Sequence, residues 1–196
     1  TEIYTLSLHD ALPICGRESG RQSKKRTSEA NWIASEVHRI LTERQEYSVG
    51  VIAFYSAQVD ELLQHMECLG LVDQIEDGAY RVAEAWRDTR DQVGNLKERL
   101  RIGTVDAFQG KEFDVVLLSM TRSNDVEAND EKTLRRKYGH LMLENRLCVA
   151  MSRQQRLLVV VGDSGMLQSK QAAAAVPGLV RFYELCGGEH GVLLHA

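Results

Sequence analysis

An α/β fold built on a parallel sheet is what this sequence predicts, and three observations carry it. Four continuous apolar runs occur: "SVGVIAFY" (Ser48–Tyr55), "LRIGTV" (Leu100–Val105), "FDVVLLSM" (Phe113–Met120) and "RLLVVVGD" (Arg156–Asp163). None of them alternates strictly with polar residues, which is how strands covered on both faces read. Segments with helical apolar spacing separate them, and such a helix–strand succession marks a doubly wound α/β domain.

The elements follow in order. "GRESGRQSKKRTSEAN" is polar and locally basic, through Arg17, Arg21, Lys24, Lys25 and Arg26, and reads as a loop ending at an N-cap, Thr27 or Ser28. From Asn31 to about Arg44, Ile33, Val37, Ile40 and Leu41 share one helical face. After the first strand, Ser56 caps a helix striped by Val59, Leu62, Leu63 and Met66, which ends at Gly70. Leu71 to Arg99 is charged and weakly patterned, an excursion from the core. The strands at 100–105 and 113–120 precede a polar loop and a helical stretch, "LMLENRLCVAMSRQQ", which leads into the last strong strand. "SGMLQSKQAAAAV" reads as a closing helix stopped by Pro177-Gly178, followed by a short helix and a tail.

Composition narrows the class. The 196 residues are 43% hydrophobic and 27% charged, enough to bury a core in one domain. A net charge of −4 gives no whole-domain basic footprint, so contact with nucleic acid would be local. Cys15, Cys68, Cys148 and Cys186 lie far apart without a CxxC pair, which favours reduced thiols in a cytoplasmic protein over disulfides or a metal site. The first residues have neither a basic n-region nor a long apolar run, so neither a secretory signal nor a membrane span is expected.

Two stretches carry candidate chemistry. In "TVDAFQGKEFDVVLLSMTRS" a strand ends near Val105, and the chain turns through Asp106, Gln109 and Gly110 before re-entering a strand at Asp114. Open α/β sheets bind ligands where turns leave the carboxyl ends of strands. Gly110 allows close approach of backbone to a ligand, with Lys111 and Glu112 beside it. A polar turn that merely joins two elements is the commoner meaning of one such motif. In "LENRLCVAMSRQQRLLVVVGD", Leu143, Leu147, Ala150 and Met151 face the sheet, which leaves Arg146 and Arg153 elsewhere on the helix. The permanently charged, planar guanidinium of Arg153, just before a buried strand, suits a terminal phosphate. A surface arginine paired with Glu144 or solvent is the plainer alternative.

Taken together and in this order, "VGVIAFYSAQVDELL", "TVDAFQGKEFDVVLLSMTRS" and "NRLCVAMSRQQRLLVVVGD" resemble the second RecA-like domain of superfamily 1 helicases, in the branch containing the nonsense-mediated-decay helicase and its DNA-replication relatives. The resemblance covers roughly Thr27 to Asp163. It implies a P-loop-NTPase-type α/β domain, with helices flanking a parallel sheet, and an ATP-dependent motor acting on single-stranded DNA or RNA. Under it, Glu112 would bind the nucleotide ribose and Arg153 would be the catalytic arginine finger. Asp106, Gln109 and Gly110 would lie at the nucleotide cleft, and Thr104 beside them would couple it to the nucleic-acid groove. Ser119, Thr121 and Arg122 would line that groove and hold the phosphodiester backbone, and Tyr55 and Gln58 match the motif around the first strand. The sequence departs from the family at Cys148, where Asn is usual, and at Gln154 and Gln155, where a small and a basic residue are usual; Arg156 would replace the latter.

The sequence has no GxxxxGK[ST] phosphate loop, and no acidic magnesium motif precedes its first strand. The resemblance therefore implies a partner, a first RecA-like domain in the same parent chain, supplying the phosphate cradle and the Mg²⁺ ligands for ATP. Alone, the chain is expected to be inactive, with no metal site of its own and no membrane contact. A degenerate RecA-like scaffold without ATPase chemistry is the alternative. A nicotinamide-type enzyme is excluded because no GxGxxG follows the first strand.

The first residues, "TEIYTLSLHDALPI", alternate at Tyr4, Leu6 and Leu8, as a half-buried strand would. Their back-translation also matches, without mismatch, the adapter oligonucleotide ligated to DNA in short-read libraries. Thr1–Ile14 is thus expected to be an artefact that packs poorly, and the strand reading is withdrawn. The remaining boundaries are a loop over 15–30, the RecA-like domain over 31–185 with an atypical insert at 71–99, and a tail over 186–196.

Overall fold

The structure, a computed structural model, describes residues 2–7, 17–20, 22–91, 93–189 and 191–195, with backbone alone for 2–7 and 195. In chain order the elements are β1 (Glu2–Ser7), α1 (Thr27–Glu43), β2 (Val49–Ala53), α2 (Ser56–Cys68), β3 (Val72–Gln74), β4 (Tyr80–Val82), α3 (Glu84–Arg87), β5 (Asp88–Arg90) and β6 (Leu96–Glu98). They continue with β7 (Leu100–Thr104), β8 (Phe113–Ser119), α4 (Glu131–Tyr138), α5 (Glu144–Ala150), β9 (Gln154–Gly162), α6 (Ala172–Ala175), α7 (Pro177–Cys186) and β10 (Gly191–His195).

Six of these strands form one sheet in the order β10-β1-β9-β8-β2-β7, with every pairing parallel. The period-2 alternation of strand side chains splits the apolar runs between two cores. Val49, Val51, Val115, Leu117, Val159 and Val161 face α1 and α2. Ile52, Val116, Leu118, Leu158 and Val160 face α5 and α7. This is the predicted parallel α/β class, a sheet buried on both sides and of RecA-like build. Helix α1 forms because Ile33, Val37, Ile40 and Leu41 fall on one buried face, while Arg39 bridges Glu36 and Glu43 at 2.6 Å each on the wet face.

Several boundaries differ from expectation. Helix α1 begins at Thr27, after an Arg26 N-cap with no side-chain cap, because the Thr27 hydroxyl is drawn instead to Glu61 Oε1 at 2.5 Å. The helical stretch before β9 is broken into a 3₁₀ turn, Gly139–Met142, and α5, so Gln154 and Gln155 join Arg156 in β9 rather than lying on a helix. Helix α6 ends just before Pro177, as expected, and Pro177 also starts α7, since a first-turn position needs no N–H. The polar loop after β8 contains α4, nucleated by a reciprocal capping box between Asp130 and Thr133. The 71–99 insert folds into two antiparallel hairpins, β3–β4 and β5–β6. Trp86 docks it, donating to the Gly70 carbonyl at 3.0 Å beneath the Arg99 guanidinium, 5.2 Å from the ring centroid.

The leading segment lies beside β9 in the sheet. Glu2–Ser7 pairs in parallel with β9 on one side and β10 on the other. Strand β9 would otherwise present an open row of N–H and C=O groups, and any extended backbone can satisfy them. Residues 8–16, with Leu8 and Cys15, and Arg21 of the basic loop lie outside the described residues.

Candidate functional site

Gln109–Glu112 is an exposed turn strung between two buried phenylalanines. Phe108 is fully buried and Phe113 nearly so, with their rings edge to face at 5.6 Å. Both press on Gly50 of β2, where an added Cβ would lie 2.8 Å from Phe108 and 3.0 Å from Phe113, so only glycine fits beneath them. Gln109 (φ −61°, ψ 125°) and Gly110 (φ +70°) take the central positions of a type II turn, which requires a positive φ at the second of them. Lys111 N closes it on the Phe108 carbonyl at 3.1 Å.

This turn is not at the carboxyl ends of the strands, where the sequence reading places it. Since β8 is parallel to β2, as is β7, the chain must travel back along the sheet after Thr104. The 3₁₀ turn Val105–Phe108 begins that return, which leaves Gly110–Glu112 at the amino end of β8. Thr104 stays behind, half-buried, at the carboxyl end of β7.

The return brings Glu112 beside Arg153. Phe113 N donates to the Arg153 carbonyl at 2.9 Å, and Gln155 Nε2 donates to Glu112 Oε2 at 3.2 Å, so the two motifs sit at adjacent amino ends of β8 and β9. The Arg153 guanidinium is half-exposed and lies against the end of α5, with Nε on the Val149 carbonyl at 3.0 Å and Nη2 on Ser152 Oγ at 2.8 Å. Arg146 reaches Asp106 Oδ2 at 2.8 Å and ties α5 to the return turn. Asp106, Gln109, Gly110 and Glu112 are all exposed.

Sequence reasoning missed the charged cluster beneath this edge. Asp114 accepts from Ser48 N at 2.9 Å, Ser48 Oγ at 2.8 Å, Lys97 Nζ at 2.6 Å and Arg156 Nε at 3.1 Å. Lys97 belongs to β6, so the insert is pinned to the amino end of β8; Glu98 adds contacts to Arg101 and Lys111. Arg156, expected to replace a basic helix residue, is used here and over the Tyr47 ring at 5.4 Å. Burial pushes the Asp114 carboxyl up, but Lys97, Ser48 and Arg156 outweigh it and bring it down to about 2. With the folded value below the unfolded one, near 3.9, the cluster's stabilisation is complete above about pH 4 and fades as pH falls towards 2. Screening at the exposed Arg156 limits it to about 1–2 kcal/mol. Asp114→Asn is expected to remove this acid limb, read as urea midpoints that differ from the parent at pH 6 and converge with it near pH 2. Parallel curves at every pH would show that the cluster is not ionic.

At the opposite end of the sheet the structure places the expected groove residues differently. Ser119 and Thr121 are fully buried, and Ser119 Oγ and Thr121 N both donate to Glu29 Oε2, at 2.7 and 2.8 Å. Arg122 is 4% exposed, with its guanidinium on the backbone carbonyls of Arg136 and Lys137 and on Glu18. These donors point inward rather than to a ligand. Gln58 is buried too, bridging Arg26 and Ser119, while Tyr55 lies flat on His140, ring centroids 4.6 Å apart. What does open here is a pair of adjoining clefts of about 690 and 600 Å³, whose walls include Arg17, Lys24, Arg135, Arg136 and Lys137. No side-chain cluster suited to a metal ion occurs among the described residues.

A family model described as an AAA domain (AAA_12) matches residues 5–165, most of the chain. The chain belongs to this AAA domain family. Several of the relatives it matches are named as helicases. The AAA domain is 38% identical over 125 residues to the DNA polymerase alpha-associated DNA helicase A of Saccharomyces cerevisiae, covering 63% of this chain and 13% of that protein. It is 28% identical over 149 residues to Regulator of nonsense transcripts 1 of Caenorhabditis elegans, covering 76% of this chain and 11% of that one. Among solved structures, the C-terminal domain of a possible DNA helicase from Lactobacillus plantarum aligns at a TM-score of 0.43 and 14% identity, over 89% of this chain and 79% of that one. With helicases as its relatives and a parallel sheet flanked by helices, the AAA domain is of the superfamily 1 helicase type. No helix among the described residues is long and apolar enough to cross a membrane.

Proposed function

We propose that this AAA domain is the second motor domain of an ATP-dependent helicase or translocase acting on single-stranded DNA or RNA. The observation that carries the reading is that the Glu112 and Arg153 motifs meet at one solvent-facing edge, through Gln155 on Glu112 and Phe113 N on the Arg153 carbonyl. That edge fits half of a nucleotide site. Glu112 offers a free carboxylate oxygen for ribose hydroxyls, and Arg153 offers guanidinium N–H groups held by only two surface hydrogen bonds. Nothing in the sequence supplies the phosphate loop, so the nucleotide and its Mg²⁺ would be held chiefly by a first RecA-like domain facing this edge. Domain closure would then bring Arg153 to the terminal phosphate, where its charge opposes the charge developing on the transferred group.

The clefts at the carboxyl ends of β8 and β9, whose walls carry Asp125, Glu127 and Asp163 as well as cations, are proposed as the nucleic-acid path, through contacts from the cations to the phosphodiester backbone. Arg17, Lys24, Arg135 and Arg136 are the donors on their walls, in place of the inward-facing Ser119, Thr121 and Arg122. The motor unit is residues 31–185 with the 71–99 insert. The adapter-like origin of Thr1–Ile14 belongs to the same proposal, and an independently sequenced gene is expected to lack those codons. The functional test uses the parent polypeptide. It is expected to hydrolyse ATP, faster with single-stranded nucleic acid, whereas the 196-residue chain alone hydrolyses none. Hydrolysis by the isolated chain, or a parent indifferent to nucleic acid, would overturn the reading.

A further inference from the structure

We infer that Glu29 is a positioning residue: by holding Thr121 in a left-handed backbone conformation it directs Arg122 onto the end of α4 and so sets the basic end of that helix at the cleft. Thr121 is the one non-glycine residue with a positive φ, +64°, among the described residues. A β-branched side chain resists that region, which glycine enters freely, so something outside the residue must hold it there. The holder is Glu29, wholly buried in the first turn of α1. Its Oε2 accepts from Thr121 N at 2.8 Å and Ser119 Oγ at 2.7 Å, and its Oε1 accepts from Arg26 Nη1 at 2.9 Å. Gln58 Nε2 completes the arrangement on Ser119 Oγ at 3.0 Å. Burial pushes the Glu29 carboxyl up, and Arg26, Ser119 and Thr121 oppose that shift without cancelling it.

What the turn achieves lies one residue on. Helix termini leave their last carbonyls without intrahelical partners. Arg122 satisfies those of α4, with Nε and Nη2 on the Lys137 carbonyl at 3.0 and 2.8 Å and Nη2 also on the Arg136 carbonyl. Asn124 Nδ2 adds a bond to the Lys137 carbonyl at 3.0 Å, and Glu18 pairs with Arg122 at 3.1 Å. The last turn of α4 carries Arg135, Arg136 and Lys137, three of the cations on the cleft walls. Gly139 lets the junction close, because a Cβ there would run into the Tyr55 hydroxyl. A Thr121 with negative φ would swing Arg122 away and leave the end of α4 uncapped. Thr121 thus makes the cap conditional on Glu29, a condition glycine would not impose.

That these cations meet nucleic acid rests on the proposed function; the positioning itself does not. The test is hydrogen exchange by NMR on the 196-residue chain, for Glu29→Gln, Thr121→Gly and the double variant. A glutamine keeps the shape but turns an amide N–H₂ towards a donor, so it cannot satisfy Arg26 and Thr121 N together. Expected for E29Q is exchange of the Arg135–Tyr138 amides about tenfold faster, with Val51 and Leu117 of the sheet unchanged. Adding T121G is expected to restore slow exchange, because glycine holds φ near +64° unaided. Unchanged α4 exchange in folded E29Q, equal acceleration in the sheet, or no rescue by T121G would overturn the inference. Should E29Q not fold, Arg122→Gln decides it: α4 loosening with the Thr121 H–N–Cα–H coupling kept supports it, and wild-type α4 exchange refutes it. Anisotropy of a labelled oligothymidylate separates the two readings. Affinity that falls in E29Q and returns with T121G supports both, whereas loosened α4 with unchanged affinity supports the positioning and removes α4 from the nucleic-acid path.

Discussion

Replacing Arg153 by alanine in a polypeptide carrying both RecA-like domains is expected to lower ATP turnover by about 10³- to 10⁵-fold, with a much smaller change in nucleotide affinity. The asymmetry follows from when the guanidinium is needed. A group that meets charge developing in the transition state affects kcat more than ground-state binding. The backbone of Arg153 is fixed by the Phe113 N–H in the β8–β9 ladder, so its reach is set by the sheet, while its side chain has only the Val149 carbonyl and Ser152 Oγ to leave. Arg153→Lys keeps the charge but not the planar fork and is expected to recover little of the rate. Turnover at saturating single-stranded nucleic acid, set against fluorescent-nucleotide binding, gives both numbers. Equal turnover in parent and R153A would make the domain a scaffold.

Phe108→Ala is expected to cost about 3–5 kcal/mol, the usual range for deleting a buried aromatic ring. The ring is fully buried, edge to face with Phe113 and in contact with the β2 backbone at Gly50, so the cavity left behind has little means to collapse. For a chain of this length that corresponds to a fall in Tm of roughly 10 °C, read from a thermal melt. The exposed Gln109–Glu112 turn depends on the same anchor, so its amides are expected to exchange faster in the variant. A loss below about 1 kcal/mol would mean that Phe113 alone holds the turn.

The sheet was legible because its strands are buried on both faces, and a strand such as Val115–Leu118 has no other reason to be continuously apolar. Helix α1 was legible from the spacing of Ile33, Val37, Ile40 and Leu41, but its start was not, since Thr27 spends its hydroxyl on Glu61, far along the chain. The "QGKE" and "MSRQQ" motifs were readable as motifs, yet their location was not. Which end of the sheet the "QGKE" turn occupies depends on β7 and β8 both being parallel to β2, a tertiary fact that leaves no local mark. The groove residues show the same limit more sharply. Ser119, Thr121 and Arg122 look like surface donors until Glu29 and the end of α4 are seen to take those donors up. The insert carried too little periodicity to be read, because its hairpins are held by single contacts such as Trp86 to Gly70 and Lys97 to Asp114.

The slot filled by β1 has a consequence for how copies of this chain behave together. Its ladder to β9 and β10 is backbone only in its demands, and α1 begins some twenty residues after β1 ends. The same segment of a second molecule satisfies the slot equally well, so in the 196-residue chain reciprocal exchange of β1 gives a closed twofold dimer, whereas a parent protein without Thr1–Ile14 has no such strand to exchange. Concentrated samples are therefore expected to accumulate domain-swapped dimers that dilution alone dissolves slowly, because each must peel a strand from the interior of a sheet before it can part.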